Sequence, residues 1–593
     1  MKPSNKLTLN HLLETLHLVY RSSPKWTFIN AIITSIRGFI PLLLLFVVKQ
    51  LIDVVGTYVT NNTASPEALY TTLALTAAFF LLNAVSGSIS SLVRERQSHF
   101  VNDYIQDIIH KKTIHIAYRF FEDSDYQNIF YRALNDSSYR PARIFYSLLQ
   151  LAQNTLTIIL LLIVLSQIHW ALIPILAVSS APVFYLRILY TRRLYKYRKN
   201  HTEDERRVHY FNRLLTGKDF AKELRVFNLG KTFKKEYEHF KHDLRNKQWS
   251  LSKRKTINEI AVQLFSTAIL LFIIAFVIKQ TVEGNISAGT MAMYFLALQR
   301  AYSVLQGLLG NLSSLYEDNL FLKNFFEFKN IEVKREVGTE SFPNPIINHI
   351  KFENVSFKYP NSRKWALQNI NLTIQKGKTI ALVGENGSGK TTLVKLLCGL
   401  HEPTEGQLHV DQHNWNNISN SELANNISVI FQDFMLYNIS AKENIRLGNT
   451  HRKDEPESVA AAAVSAGIDQ LFNNLPHGYD TTLGTLFKDS QMLSRGEWQR
   501  TALARSFYNT DAQLIILDEP TSSLDAFTEA SLINHFSDIV KDKTAIIVSH
   551  RLSTIKLADI IVVMKNASIA EVGSPEELIA QKGIYFQMIE SLK

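Results

Sequence analysis

Residues 379–392 read Thr379-Ile380-Ala381-Leu382-Val383-Gly384-Glu385-Asn386-Gly387-Ser388-Gly389-Lys390-Thr391-Thr392. They match the pattern G-x-x-x-x-G-K-[ST], with a strand-like apolar run before the first glycine and a helix-forming segment, LVKLLCGL, after the threonines. In this setting the glycines let backbone N–H groups surround phosphate oxygens, and the helix N-terminus adds a favourable dipole. Lys390 is expected to reach the β- and γ-phosphates, and Thr391 to ligate Mg²⁺. The stretch therefore predicts an α/β P-loop domain that binds ATP.

Two later apolar runs end in residues suited to hydrolysis. The first ends in Asp518-Glu519-Pro520, where Asp518 would hold Mg²⁺ through water and Glu519 would polarise the attacking water. A nucleotide binder without turnover is the alternative, and the second carboxylate argues against it. The second run ends in Ser549-His550, and a histidine at that position can touch the γ-phosphate. A single histidine would by itself be interpreted as structural. The position of His550 after the strand that carries Asp518 and Glu519 favours a catalytic role instead.

The first half of the chain differs in character from this domain. The 593 residues are too many for a single core, and long apolar runs fill the first half although 20% of the chain is charged. A membrane-spanning helix needs about 20 mostly apolar residues. Six segments meet that need: Trp26 to Val54, Glu67 to Leu92, Phe145 to Ile168, Ala171 to Tyr190, Ile257 to Ile278 and Ala288 to Leu309.

The charges of the connections predict the orientation. The net charge of +11 would fit nucleic-acid binding, but much of the Lys and Arg flanks the apolar segments, so we expect no nucleic-acid partner. The connections TYVTNNTASPEALY, SQIHW and KQTVEGNISAG carry almost no positive charge, whereas the others are long and basic. By the positive-inside rule the basic connections, both termini and the ATP-binding domain are cytoplasmic.

Several smaller features accompany these segments. The N-terminal stretch lacks a cleavage signal and reads as an amphipathic helix at the membrane surface. Cys398 is the single cysteine and lies in an apolar stretch, so we expect a buried core thiol. Arg37 and Arg300 fall inside or near predicted spans, where they could contact a substrate, snorkel or form structural pairs.

Each long cytoplasmic connection has a non-helical spot near its middle, at Phe120 to Phe130 and at Leu214 to Phe227. A short helix there would present aromatic and charged side chains to a partner, and a plain hairpin tip is the alternative. The predicted domains are 1–328, six membrane helices with these two segments; 329–347, a linker; and 348–593, the ATP-binding domain.

These motifs, in this order, resemble the ATP-binding cassette (ABC) transporter family, in the layout of an exporter half-transporter. The resemblance covers the whole chain, and it implies an all-α membrane domain fused to an α/β cassette. It implies that Tyr359 in SFKYP stacks on adenine, that Gln432 in VIFQDF senses Mg²⁺ and links to the membrane domain, and that the loop ending in Asp525 crosses to a partner subunit. The segments at Phe120 to Phe130 and Leu214 to Phe227 resemble the coupling helices.

The signature motif departs from the family pattern L-S-G-G-Q, since it reads Leu493-Ser494-Arg495-Gly496-Glu497. In the family the Ser hydroxyl and the second Gly amide contact the γ-phosphate held by the opposite subunit, and Ser494 and Gly496 keep those groups. The departures put the local backbone at Arg495 and the turnover rate in doubt. The resemblance thus implies ATP and Mg²⁺ as cofactors and the following site residues: catalytic Glu519, His550 and Gln432; ATP-binding Tyr359, Gly384, Glu385, Asn386, Gly387, Ser388, Gly389, Lys390, Thr391, Thr392, Ser494, Gly496 and Asp525; metal-binding Thr391, Gln432 and Asp518.

The function expected from the resemblance is ATP-driven export of a peptide, drug-like or other amphipathic compound across the cytoplasmic membrane by alternating access. The alternatives are a lipid flippase and an ATP-gated channel or regulator, because one fold supports several functions. Since Glu519 and His550 are both present, a homodimer is preferred over pairing with a homologous half-transporter. Signature and coupling segments look somewhat like those of bacterial peptide and antibiotic exporters. Only a short segment precedes the first span, so we do not expect this chain to cleave a leader peptide.

Overall fold

The computed structural model describes residues 9–61, 66–137, 140–167, 170–331, 338, 340–360, 362–453, 455–541 and 543–592. Parts of the predicted connections TYVTNNTASPEALY and SQIHW, most of the stretch from 332 to 339 in the predicted linker, and the first eight residues lie outside this description. The chain divides into two compact units, Met1–Ile114 with Ser124–Glu332, and His115–Asp123 with Val333–Lys593.

The first unit is built of helices. Apart from the end of α3, its helices are α1 (Leu9–Ser22), α2 (Pro24–Asn61), α3 (Pro66–His115), α4 (Ser124–Ser137), α5 (Arg140–Ser166), α6 (Leu172–Asn200), α7 (Thr202–Thr216), α8 (Ala221–Val226), α9 (Gly230–Val282) and α10 (Ala288–Lys329). The predicted segments coincide with the six long helices α2, α3, α5, α6, α9 and α10, except that Gln167 and Ala171 lie in turns just outside α5 and α6 and Ile168 lies outside the description. Helices α3 and α9 are 50 and 53 residues long, far more than a bilayer needs.

Four of these helices, α2, α3, α5 and α9, are long and apolar enough to cross a membrane within the described residues. The prediction that the chain has six membrane spans is therefore not confirmed. One physical reason lies in the sequence of α10, which carries Arg300 among several amides. In α6, the side chains of four of the first six residues lie outside the description. A membrane domain built of helices is what the structure supports.

The helices pack through an apolar cluster that joins α2, α5, α9 and α10. Ala297 and Ala301 are fully buried on α10, and such small side chains let neighbouring helices approach closely. A second contact between α5 and α10 is ionic, because Arg140 Nη1 donates to Asp318 Oδ1 at 2.7 Å and both side chains are buried. Helix α10 is thereby held to α5 both by packing and by charge.

Both predicted coupling segments interrupt the helical pattern. A short 3₁₀ helix, Tyr118–Phe120, and a turn precede α4, so the non-helical spot begins a few residues before Phe120 and helix resumes at Ser124. In the second segment, Gly217 ends α7 and a 3₁₀ helix, Lys218–Phe220, leads into α8. The structure thus contains short helical elements at both places, and their role as coupling helices stays a prediction.

The second unit is an α/β domain. Its strands are β1 (His349–Phe357), β2 (Leu367–Gln375), β3 (Thr379–Gly384), β4 (Glu405–Val410), β5 (His413–Asn414), β6 (Ile427–Ile430), β7 (Leu514–Asp518), β8 (Thr544–Val548), β9 (Ile560–Lys565) and β10 (Ser568–Gly573). Its helices are α11 (Lys390–Leu397), α12 (Asn420–Asn426), α13 (Ala441–Arg446), α14 (Pro456–Ser465), α15 (Asp469–Asn473), α16 (Arg495–Tyr508), α17 (Ala526–Val540), α18 (Leu552–Ile555), α19 (Pro575–Gln581) and α20 (Ile584–Leu592).

The larger sheet decides where the functional residues meet. Its order is β10-β9-β3-β8-β7-β6, and β3, β8, β7 and β6 run parallel. Strands β3, β7 and β8 are buried along their whole length, as expected for a parallel sheet covered on both faces. Since the carboxyl ends of parallel strands share one edge, the loops after these three strands come together there.

Cys398 is partly buried and packs against the core of this domain, so the predicted core position is met although the residue keeps some surface exposure. Burial raises the pKa of its thiol to about 12. Only the thiolate reacts, so at pH 8 its population is about a thousandfold below that of an ordinary thiol. We expect maleimide to label the folded protein at pH 8 far more slowly than the urea-unfolded protein, measured by mass spectrometry. Equal labelling rates in the two states would contradict a buried thiol.

Candidate functional site: a phosphate loop and an acidic strand end

The loop between β3 and α11 has the backbone that phosphate binding requires. Gly384 and Gly389 have φ values of 145° and 109°, in the region that favours glycine. A Cβ at Gly384 would lie 2.2 Å from the Met564 carbonyl oxygen, and one at Gly389 would lie 2.8 Å from the Ala366 carbonyl oxygen. Both positions therefore need glycine for conformation and for space.

Lys390 begins α11 and is almost fully buried. Its Nζ donates to the carbonyl oxygens of Gly384 and Glu385 at 2.7 and 3.0 Å, so the ammonium group lies inside the curve of the loop. Desolvation lowers the pKa of Lys390, although Glu519 and Asp518 oppose that shift. The ammonium group is thus placed where a phosphate would add the missing negative charge.

Two buried polar atoms beside this lysine have no hydrogen-bond partner within the described residues, namely Ser388 Oγ and Asp518 Oδ2. Buried polar atoms are normally paired, and exceptions point to a missing ligand or ion. Burial, with help from Glu519, raises the pKa of Asp518 to about 6. A hydroxyl and a carboxylate oxygen suit Mg²⁺ bound to phosphate, so these residues fit a Mg–nucleotide.

Glu519 directly follows β7 and has an unusual backbone. Its φ is 50°, a left-handed value that costs a non-glycine residue about 1–3 kcal/mol. Its N–H still donates to the Val548 carbonyl oxygen at 2.8 Å, so the sheet holds the residue in that conformation. Strain of this kind is retained where it directs a functional side chain.

Two other predicted residues face the Glu519 carboxylate. Gln432 Nε2 donates to its Oε2 at 3.2 Å, and His550 Nε2 lies 3.8 Å from its Oε1. Desolvation, followed by repulsion from Lys390, lowers the pKa of His550, so its imidazole is neutral at pH 7. The structure therefore brings Lys390, Gln432, Asp518, Glu519 and His550 together at one edge of the sheet.

Tyr359 lies beyond the end of β1, near the other side of the phosphate loop. Its hydroxyl is 3.1 Å from Thr392 Oγ1, and Lys395 Nζ lies 5.3 Å from the centre of its ring. Lys395 also pairs with Glu122 at 2.9 Å and lies over the ring of Tyr118. The predicted adenine-stacking tyrosine is thus connected through one lysine to the segment that carries the first predicted coupling helix.

The signature motif forms the start of α16. Ser494 is the N-cap, its Oγ accepts from the Glu497 N–H at 3.3 Å, and its own N–H donates to Glu497 Oε2 at 2.6 Å. This is a capping box, in which glutamate serves as well as glutamine. Arg495 occupies the first helical turn and is not among the described residues with positive φ. The departures from the family pattern therefore leave the local backbone regular.

Ser494, Gly496 and Asp525 do not meet Lys390 within this chain's hydrogen-bond network, as far as the structure describes it. Arg495 Nε instead donates to Ser523 Oγ at 3.3 Å, and a Cβ at Gly496 would lie 3.1 Å from the Ser523 carbonyl oxygen. Asp525 caps α17 by accepting from the Phe527 and Thr528 N–H groups, which lowers its pKa. These residues form a second surface that shares no hydrogen bond with the phosphate loop among the described residues.

Gln499 has no role that its sequence motif predicts, but the structure connects it to Glu519. Its buried amide donates to the Glu519 carbonyl oxygen at 3.1 Å and to Ser522 Oγ at 3.3 Å, and its Oε1 accepts from the Ser523 N–H at 2.9 Å. Gln499 is 1% exposed. The available signal in the sequence was a glutamine on the buried face of the helix that begins with the signature motif. This signal could not identify the partners of Gln499, because they are more than 19 residues away in the sequence.

Gln499→Leu is expected to lower kcat of ATP hydrolysis about tenfold while KM for ATP changes little, because a small displacement of Glu519 reduces turnover more than binding. Malachite-green assays over a range of ATP concentrations would measure both constants. Gln513→Leu is the control, since the Gln513 amide donates on the surface to Asn344 Oδ1. An unchanged kcat in Gln499→Leu would show that the amide does not position Glu519.

This geometry defines a P-loop ATPase domain that follows a helical membrane domain on one chain. Two family profiles match those parts, "ABC transporter" over residues 367–522 and "ABC transporter transmembrane region" over residues 27–302. A putative multidrug export ATP-binding/permease protein of Staphylococcus aureus is 30% identical over 573 residues, which are 94% of this chain and 96% of that protein. The chain belongs to the ABC transporter family, and it is an ATPase coupled to transport.

Further relatives have the same layout. The nisin transport ATP-binding protein of Lactococcus lactis subsp. lactis is 28% identical over 98% of this chain and 96% of its own length. The subtilin transport ATP-binding protein of Bacillus subtilis is 29% identical over 94% and 90%. The solved structure of a bacterial Atm1-family ABC exporter with ATP bound superposes with a TM-score of 0.75 at 22% identity, covering 95% of this chain and 98% of that one. This last likeness shows the fold.

Proposed function

We propose that this protein is a half-transporter that forms a dimer and exports a peptide or drug-like compound across the bacterial cytoplasmic membrane at the expense of ATP. The observation that carries the proposal is the group of Lys390, Gln432, Glu519 and His550 at one sheet edge, on a chain with a helical membrane domain. The relatives named for nisin, subtilin and multidrug export favour a peptide or drug over the alternatives of lipid flipping and ATP gating.

In this proposal the hydrolytic step belongs to Glu519. Its carboxylate accepts a proton from the attacking water, while Gln432 and neutral His550 hold the carboxylate and water in place. Lys390 and the loop N–H groups bind the phosphates of ATP, and Tyr359 stacks on adenine. Thr391, Gln432 and Asp518 would hold Mg²⁺, which neutralises charge on the phosphates when bound.

The dimer follows from the separation of the two surfaces. Ser494 Oγ and the Gly496 N–H lie at the start of α16, where a helix N-terminus suits an anion, and they do not meet the phosphate loop of their own chain within the described residues. We infer that they contact ATP held by a second subunit, with the loop to Asp525 beside them. Because Glu519 and His550 are both present, we favour two identical subunits over a heterodimer.

We propose six membrane spans, one in each of α2, α3, α5, α6, α9 and α10, with both termini and the cassette in the cytoplasm. The proposed domains are 1–328 and 348–593, joined by residues 329–347. Each cassette switches between two states, and ATP drives the switch by binding the closed dimer more tightly than the open one. The segments at Phe120 to Phe130 and Leu214 to Phe227 would pass that change to the membrane helices.

The proposal is tested by reconstituting the purified protein in proteoliposomes. We expect ATP-dependent accumulation of peptide or drug inside vesicles whose cassettes face outward, with an ATPase rate that the transported compound stimulates. Lys390→Ala should abolish both activities. ATP-dependent movement of fluorescent phospholipid without peptide or drug transport, or an ion current gated by ATP, would refute export and support one of the alternatives.

A further inference from the structure

Four membrane helices enclose a polar cavity of about 340 Å³ in the first unit. The residues that line the cavity recur at helical spacing. They are Asn30, Thr34 and Arg37 on α2, Ser90 and Arg94 on α3, and a run of amides on α5. Helix α10 adds Arg300 and Asn311. Most of the lining side chains are polar, and all the lining residues except Arg94 and Asn311 lie within the predicted membrane segments. Polar residues inside membrane segments are costly and mark functional sites.

The charge of this cavity is of one sign. Three of its lining residues are arginines, Arg37, Arg94 and Arg300, and no described lining residue is Asp or Glu. Arg94 and Arg300 are close enough to Arg37 to repel its guanidinium. Arg37 Nε is buried without a hydrogen-bond partner, and within the described residues no carboxylate pairs with any of the three arginines. The positive charge is therefore left uncompensated by the chain.

A neighbouring site on the same helices shows that this chain pairs its internal arginines when they are structural. Arg140 and Arg143 on α5 both bond to Asp318 on α10, and Glu317 lies within 3.7 Å of each. Breaking such pairs inside a protein is costly, because a charge then stays in a medium of low dielectric. Of the three cavity arginines, Arg37 and Arg94 are half-buried and Arg300 is exposed to the open cavity. An anionic ligand in the cavity would supply the opposite charge that its described lining lacks.

We propose that this cavity binds a carboxylate-bearing segment of the exported compound, and that the transporter therefore prefers acidic peptides. The inference rests on the proposed function and specifies its substrate class. Guanidinium groups bind carboxylates through paired hydrogen bonds, which a neutral or cationic compound cannot form. The surrounding amides and hydroxyls suit peptide backbone. An anionic lipid is disfavoured, because Leu149 and Val304 are the few aliphatic side chains of the described lining and its acyl chains would need an apolar wall.

The test measures binding of labelled peptides to the full-length protein in phosphatidylcholine nanodiscs by fluorescence anisotropy. Three peptides of equal length carry Glu, Gln or Lys at the same positions, with a neutral fluorophore. We expect the Glu peptide to bind with a Kd about tenfold or more below that of the Gln peptide, and to weaken as salt rises. The Lys peptide should bind more weakly than either.

Arg37→Gln should raise the Kd of the Glu peptide about tenfold and leave that of the Gln peptide nearly unchanged. Arg37→Lys, which keeps the charge but loses the planar fork, should recover part of the affinity. Arg96→Gln is the control, since Arg96 is exposed on α3 outside the cavity lining and contacts the Phe100 ring. Thermal melting of each variant identifies any loss of folding. If Arg37→Gln does not fold, the affinity of Arg37→Lys for the Glu peptide tests the proposal instead.

Equal binding of the three peptides, or an Arg37→Gln variant with unchanged selectivity, would overturn the proposal. Displacement of the Glu peptide by phosphatidylglycerol in the nanodisc, with loss of that effect in Arg37→Gln, would assign the cavity to a lipid headgroup instead. ATP-dependent transport is measured on the same preparation. Selective binding without transport would refute the proposed export while leaving the anion site in place, so the two failures are distinguishable.

Discussion

Glu519→Gln is expected to lower the steady-state ATPase rate by about a thousandfold while ATP still binds, within the usual range for a lost general base. Glutamine has the same size, so it can keep the strained backbone at φ 50° and the contact with Gln432. What it loses is the ability to accept a proton from water. Phosphate release measured under excess ATP gives the rate, and filter binding of labelled ATP gives the affinity.

The control for this variant is Glu353→Gln, because Glu353 is exposed and pairs on the surface with Lys351. It should hydrolyse ATP at the wild-type rate. In Glu519→Gln, bound ATP should also hold two cassettes together, so a larger species on size-exclusion chromatography is expected with ATP. A variant that keeps more than about a tenth of the wild-type rate would show that another group activates the water.

Asp318→Asn is expected to destabilise the membrane domain by about 3–5 kcal/mol. The Asp318 carboxylate is fully buried and accepts from Arg140 Nη1 at 2.7 Å and from Arg143 Nε at 2.6 Å. An amide of the same shape removes the negative charge nearest to the buried Arg140 guanidinium. The melting temperature of the purified protein, followed by tryptophan fluorescence in detergent, should fall by about 10 °C.

Glu317→Gln is the matched control, since Glu317 is adjacent on the same helix, 29% exposed, and no closer than 3.6 Å to either arginine. Exposed ion pairs contribute about 0–1 kcal/mol to stability, so the melting temperature of the Glu317→Gln variant should be within a few degrees of wild type. If both variants lower the melting temperature equally, the buried pair does not hold α5 to α10 in the way that its geometry indicates.

Much of the cassette could be predicted because its signals are local. The phosphate loop combines spacing, a preceding strand and a following helix within 14 residues, and the structure places Lys390 at the start of α11 as predicted. The capping box of the signature motif is also present in the sequence as Ser494-x-x-Glu497, although at Glu497 it stands out first as a departure from the family pattern. In both cases, residues close in sequence form the contact.

The number of membrane spans shows where hydrophobicity alone stops being informative. Helix α10 carries Arg300 and several amides along its length, and Arg300 and Asn311 line the cavity. A helix that faces a polar cavity carries polar residues, so its sequence resembles that of a soluble helix. Length and composition therefore underestimate such helices.

By itself, the sequence determined the class of the two domains and predicted the residues of the phosphate loop, since periodicity and motif spacing are properties of neighbouring residues. Tertiary structure alone decided that Gln499 holds the Glu519 backbone, that Arg140 pairs with Asp318 across 178 positions, and that three arginines from three helices share one cavity. The physical reason is that these contacts depend on how helices and strands pack, and no local pattern encodes which distant side chains will face one another.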